Sequence, residues 1–102
     1  MEKRKPSHDL ERFKAVCGLT STLRITLTAQ ISAQRLGYDL EGVAQIIRSM
    51  SRRMFYKSMT SFSDHTAWQD VYHVPAGDRT IYLKFVDDIV SEFLVLSFKE
   101  RD

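Results

Sequence analysis

Lys57, Gln69, Tyr82 and Lys99 all fall in segments that alternate like β-strands, and their chemical types are complementary. Two cations, an amide and a phenol can hold a phosphodiester, stabilise the charge that builds on a crowded phosphorus, and pass protons to and from its oxygens. RNA carries its own nucleophile for such a reaction. Its 2′-OH attacks the adjacent phosphate once a base removes the proton and an acid protonates the departing 5′ oxygen, and no metal is required. A lysine serves as that base only where burial or a second cation favours its neutral form, an effect Lys57 and Lys99 would exert on each other if they shared a face. One lysine would then act on the 2′-OH while the other holds phosphate. Tyr82 would donate to the leaving oxygen or the phosphate, and Gln69 would orient the nucleotide. Residue type leaves open which lysine takes which step. Taken singly, each has an ordinary reading as a solvated lysine or a sheet-covering tyrosine, so only their convergence on one face would matter.

Two of the four lie in an unusual stretch. Phe55 to Tyr72, FYKSMTSFSDHTAWQDVY, holds five aromatics and only two acids in eighteen residues. It overlaps a window, Gly42 to Ser63, in which Arg48, Arg52, Arg53 and Lys57 face no Asp or Glu. Bases stack on rings and phosphates seek Lys and Arg, so this interleaving is the footprint of a nucleic-acid surface. Arg52 and Arg53 are candidates for non-specific phosphate contact, with simple solvation an equal reading. Phe62, expected in a loop, is a candidate for stacking on a base. His65 titrates near neutrality and is kept as an RNA-binding candidate, although a turn-capping role in Ser63 to Thr66 is the stronger reading. His8 and His73 have weaker claims. Trp68 and Tyr72 share a face on an alternating strand and are expected in the core.

Other chemistries fit poorly. Neither G-x-x-x-x-G-K-[ST] nor G-x-G-x-x-G occurs, and four glycines make a phosphate-cradling loop unexpected. His65 and His73 with Asp64 and Asp70 lack metal-ligand spacing, so no metal and no cofactor is expected. Cys17 is expected to be a buried structural thiol rather than a nucleophile.

The elements that must position these side chains are legible in the periodicity. Leu10, Phe13, Val16 and Cys17 recur as in a helix that Pro6 and Ser7 can open and Gly18 can close. Leu23 to Thr26 suits a brief strand. Leu27, Ile31, Ala33 and Leu36 give a second helix ended by Gly37, and Asp39 caps a third with Leu40, Val43, Ile46, Ile47 and Met50 on its apolar face. After Arg53 the period changes to two, with turn signals at Ser63 to His65, Pro75 to Asp78 and Asp87 to Ser91. The fold class is therefore α+β, with three N-terminal helices packed on one face of a mainly antiparallel, twisted β-sheet.

The final hairpin fixes the proposed convergence. Ile81, Leu83 and Phe85 need the buried face, as do Leu94, Leu96 and Phe98, so odd positions pair with even ones. A four-residue loop, Ile89 to Glu92, puts Tyr82 across from Lys99. The other face then carries Tyr82, Lys84 and Val86 beside Val95, Ser97 and Lys99. A two-residue Asp87-Asp88 turn would place Phe93 opposite Tyr82, but Asp-Asp is a poor type I′ turn.

A chain of 102 residues forms one domain, 1–102, burying roughly 60 to 68% of its unfolded surface. A net charge of +2 permits an anionic partner without demanding one. Apolar runs are far short of a membrane span, the N-terminus lacks a secretory pattern, and a single cysteine suits a reducing compartment. A cytoplasmic protein without membrane contact is expected.

The segments MEKR, LGYDLEGV, FYKSMTSFSDHTAWQDVY, YLK and SFKE together resemble the motility quorum-sensing regulator family of bacterial type II toxins. The resemblance covers nearly the whole chain. It implies a RelE-like fold, translation-independent cleavage of mRNA with preference for GCU-type sites, and neutralisation by a zinc-containing antitoxin of the MqsA type encoded beside the toxin. DNA would be reached only through that antitoxin. By position, the family's functional lysine in FYKSM falls on Lys57, its glutamine in WQDVY on Gln69, its tyrosine in YLK on Tyr82 and its lysine in SFKE on Lys99. The hairpin VDDIVSEFLV is about two residues longer than the family pattern. The competing reading is a non-catalytic transcriptional regulator that binds nucleic acid or protein in a complex; a pure binder has no need of proton donors on a sheet face, and no helix-turn-helix signature is present.

Overall fold

The computed structural model describes residues 1–88 and 92–102. A short strand, β1 (Glu2–Lys3), precedes three helices, α1 (Leu10–Cys17), α2 (Leu27–Arg35) and α3 (Leu40–Arg48). A 3-10 turn at Arg52–Met54 leads into β2 (Phe55–Met59), β3 (Gln69–Ala76), β4 (Arg79–Asp88) and β5 (Glu92–Glu100). The strands form one antiparallel sheet in chain order, and the helices bury its inner face, as the sequence predicts for an α+β chain. The strand β1, which periodicity did not show, covers the free edge of β2. Among the described residues no helix is long and apolar enough to cross a membrane.

Each helix begins on a side-chain cap. Asp9 accepts from the amides of Glu11 and Arg12, Thr26 from Ala29, and Asp39 from Gly42. Asp9 therefore opens α1, not Pro6 and Ser7. The reason lies in the buried Asp70, whose carboxylate takes the Ser7 amide at 3.1 Å and the His8 amide at 3.0 Å, holding those residues outside the helix. His8 Nε2 donates to the Trp68 carbonyl at 2.8 Å, and Ser7 and Ser58 share a hydroxyl bond of 2.8 Å. Gly18 and Gly37 end α1 and α2 as expected, Gly37 at a φ of +92°.

In α2 the apolar pattern misleads. Ala29 and Ala33 face the core, while Leu27 and Ile31 are exposed, because the alanines let α2 lie close on β5. Leu23 to Thr26 forms a single parallel bridge, Ile25 to Val95, in place of a strand. Phe13 stacks on Phe85 with ring centroids 3.7 Å apart and meets Phe93 edge-on, giving the core its aromatic centre. Cys17 is buried, and burial pushes its thiol up, so it stays protonated and inert.

The last hairpin confirms Tyr82 opposite Lys99 and corrects the rest of its register. Lys84 pairs with Ser97, but Phe85 pairs with Val95, so Leu96 is a bulge. Phe93, Val95 and Phe98 are the buried residues, not Leu94 and Leu96, and Val95 leaves the outer face. Glu92 pairs with Asp88 and so belongs to β5 rather than to a four-residue loop; Ile89 to Ser91 lie outside the described residues.

Tyr72 is fully buried, and burial pushes its phenol up to about 12. Its hydroxyl has no hydrogen-bond partner among the described residues. An unsatisfied buried hydroxyl costs free energy, so Tyr72→Phe is expected to raise stability by about 1 kcal/mol. The urea midpoint would move upward; a downward shift would reveal a partner for the hydroxyl.

Candidate active site

The sheet face away from the helices is organised in rows by the strand register. One row runs His73, Tyr82, Lys99; the next Lys57, Val71, Lys84, Ser97; a third Met59, Gln69, Val86, Leu94. A register shift at Tyr56 explains how two successive β2 residues reach this face: Phe55 packs on Tyr72 inside, while Tyr56 stacks on His73 and Lys57 lies across from Val71. Tyr56, Lys57, His73, Tyr82 and Lys99 thus line one open cleft, closed at its end by Glu100 to Asp102.

The proton states of this cleft are set by neighbours distant in sequence. Lys57 forms an ion pair and hydrogen bond with Glu2 of β1, which raises the lysine pKa and lowers that of the carboxylate. Of the two lysines, Lys57 is therefore the one held as a cation. Burial pushes the Tyr82 phenol up, with Lys57 acting in the opposite sense, so it keeps its proton at neutral pH. Lys99 Nζ stands 5.1 Å over the Tyr82 ring. Sequence reasoning passed over Lys84, whose pKa is lowered by burial and then by Lys99 and Lys57. It also undervalued His73, lowered by burial, Arg101 and Lys57. Their positions at the same parity as Tyr82 and Gln69 were the available signal.

Gln69 shares the face but not the cleft, standing four residues along β3 from His73, about 13 Å at strand rise. Phe62 is wholly exposed and lines a separate hollow with His65, beside Glu2 and Met59. The turn before β3 is held by Asp64, which accepts from the Thr66 amide and hydroxyl and is lowered by them; His65 is exposed and does not cap it. Arg52 lies over the Phe55 ring at 5.0 Å, on the helix side of the sheet and away from the cleft, and Arg53 is exposed. Arg48, bound to the Gly18 carbonyl and Glu41, is structural. Trp68 precedes β3 and carries Lys3 over its ring at 4.2 Å, so it does not join Tyr72 in the core.

Two cations and a protonated phenol around one cleft suit an anionic phosphodiester substrate. Among the described residues no three His, Cys, Asp or Glu side chains gather as a metal cage. The family model for "motility quorum-sensing regulator, toxin of MqsA" matches residues 5–100. The mRNA interferase toxin MqsR of Escherichia coli (strain K12) is 40% identical over 101 residues, covering 99% of this chain and 100% of the relative. Both matches span the helices and every strand of the cleft from β2 to β5, and on them the chain belongs to the motility quorum-sensing regulator family of toxins.

Proposed function

We propose that this toxin is an endoribonuclease that cleaves mRNA by attack of the 2′-OH, leaving a 2′,3′-cyclic phosphate and a 5′-OH, and so halts translation. The observation that carries the reading is the meeting of Lys57, Tyr82 and Lys99 in one cleft, with Lys57 held charged and Tyr82 held protonated. Lys57 and Lys99 bind the phosphate and offset the charge that grows on it. Tyr82 gives its proton to the departing 5′ oxygen. Gln69, further along the face, holds a neighbouring nucleotide, and Phe62 and His65 extend the RNA path past β1. Arg52 and Arg53 contribute at most diffuse attraction. The family resemblance extends this reading to GCU-type sites, an MqsA-like zinc-containing antitoxin as partner and DNA reached only through it; the reaction as drawn uses no cofactor and takes place in the cytoplasm.

The test is incubation of antitoxin-free, folded protein with RNA in excess chelator, followed by analysis of the new ends. Cyclic phosphate and 5′-OH ends are expected; intact RNA would favour the non-catalytic regulator. A second measurement concerns Glu2, which competes with phosphate for Lys57. Glu2→Gln is expected to tighten binding of a 2′-O-methyl RNA about twofold to fivefold at low salt. Unchanged or weaker binding would show that Lys57 does not contact RNA phosphate.

A further inference from the structure

His73 lines the cleft with tyrosine neighbours from β2 and β4. Its ring stacks on Tyr56 at 4.3 Å between centroids, and the Tyr82 ring lies 6.0 Å away. Arg101 Nη1 lies 3.4 Å from Nδ1. A guanidinium can only donate, so Nδ1 presents its lone pair to Arg101 and the neutral ring carries its proton on Nε2. Arg101 is exposed and lines the same cleft. Its N–H occupies the place where a donor from a substrate, such as a ribose hydroxyl, would meet that lone pair.

The charges around the ring come from every strand of the face. β2 supplies Tyr56 and Lys57, the latter paired with Glu2 of β1; β4 supplies Tyr82 and Lys84; β5 and its tail supply the cations Lys99 and Arg101 and the carboxylates Glu100 and Asp102. Burial, then Arg101 and Lys57, hold His73 below its ordinary value, so the ring is neutral at pH 7. A neutral imidazole is the side chain best matched to proton abstraction at that pH.

We propose that His73 is the general base of the cleavage reaction, its Nδ1 taking the proton of the 2′-OH after Arg101 turns from the ring to the phosphate. The assignment rests on the ribonuclease reading above. As the 2′-oxygen forms its bond to phosphorus, the bond to the 5′ oxygen breaks and that oxygen takes the Tyr82 proton. The imidazolium and the phenolate then reset by proton exchange with water. Lys57 and Lys99 remain cations throughout.

The pH profile of kcat/KM from about pH 5 to pH 9 tests this, because that ratio reports the ionisations of the free enzyme. In the wild type, activity is expected to rise with pH along an acid limb whose midpoint lies below about 6.5. His73→Gln is expected to lower kcat about 10²- to 10⁴-fold and to lose the limb, while binding of 2′-O-methyl RNA is unchanged. Added imidazole is expected to restore part of the activity of His73→Ala. An RNA with sulfur in place of the scissile 5′ oxygen needs no protonation of its leaving group, so it should rescue Tyr82→Phe and leave His73→Gln slow. An acid limb that persists in His73→Gln, or rescue of that variant by the sulfur substrate, overturns the assignment alone. A wild type that makes no cyclic phosphate overturns the ribonuclease reading beneath it.

Discussion

Tyr82→Phe is expected to lower kcat for cleavage of a single-stranded RNA about 10²- to 10⁴-fold, with KM and melting temperature unchanged. The substitution removes one oxygen and keeps the ring, so Lys99 still has an aromatic face beneath it and His73 keeps its neighbour. What disappears is the proton for the 5′ oxygen. The sign of the accompanying pH effect follows from the raised phenol: beyond its acid limb, wild-type kcat/KM should fall again only at alkaline pH, as Tyr82 loses its proton above the ordinary value near 10. The variant should show no such fall. Single-turnover cleavage across pH measures both. Wild-type kcat in a folded Tyr82→Phe protein would remove Tyr82 from the reaction.

Phe13→Ala is expected to cost about 3–5 kcal/mol of stability, a large share of the ~5–15 kcal/mol that holds a domain folded. The ring is fully buried, stacked on Phe85 and met edge-on by Phe93, so its removal leaves a hole between α1 and two strands. The melting temperature should fall by more than about 12 °C. Leu27→Ala is the contrasting case. Leu27 is 72% exposed, and its loss should change stability by no more than about 0.5 kcal/mol. Urea melts of the two variants give the comparison, and near-equal effects would place the core elsewhere. Phe85 lies between Lys84 and Val86, which face outward, so damage at Phe13 should also lower activity.

The helices show where sequence patterns suffice. Asp39 and the spacing of Val43, Ile46 and Ile47 made α3 legible because cap and apolar stripe agree, although Leu40 is exposed and Met50 is buried past the end of the helix. In α2 the large residues point outward and two alanines do the packing, and a hydrophobicity pattern weighted by size reads that helix backwards. Parity with a four-residue loop led to Tyr82 opposite Lys99, yet the structure reaches that pair with Glu92 inside β5 and a bulge at Leu96 that no glycine marks. The charge state of Lys57 depends on Glu2, 55 residues away, and only the pairing of β1 with β2 brings them together. His73 was underrated for a similar reason. Alternation gives the face a side chain occupies but not the rings and cations that surround it there.

The bulge at Leu96 separates two halves of one hairpin. On the open-end side Tyr82 and Lys99 keep one register, and beyond the bulge the strands run one residue out of step with it. An insertion or deletion at the tip therefore has somewhere to be absorbed, because the bulge can anneal or double without turning Lys99 to the other face. Length drift at the tip becomes a neutral change, invisible to the chemistry. The cleft can be inherited intact while the loop that closes its hairpin is rewritten.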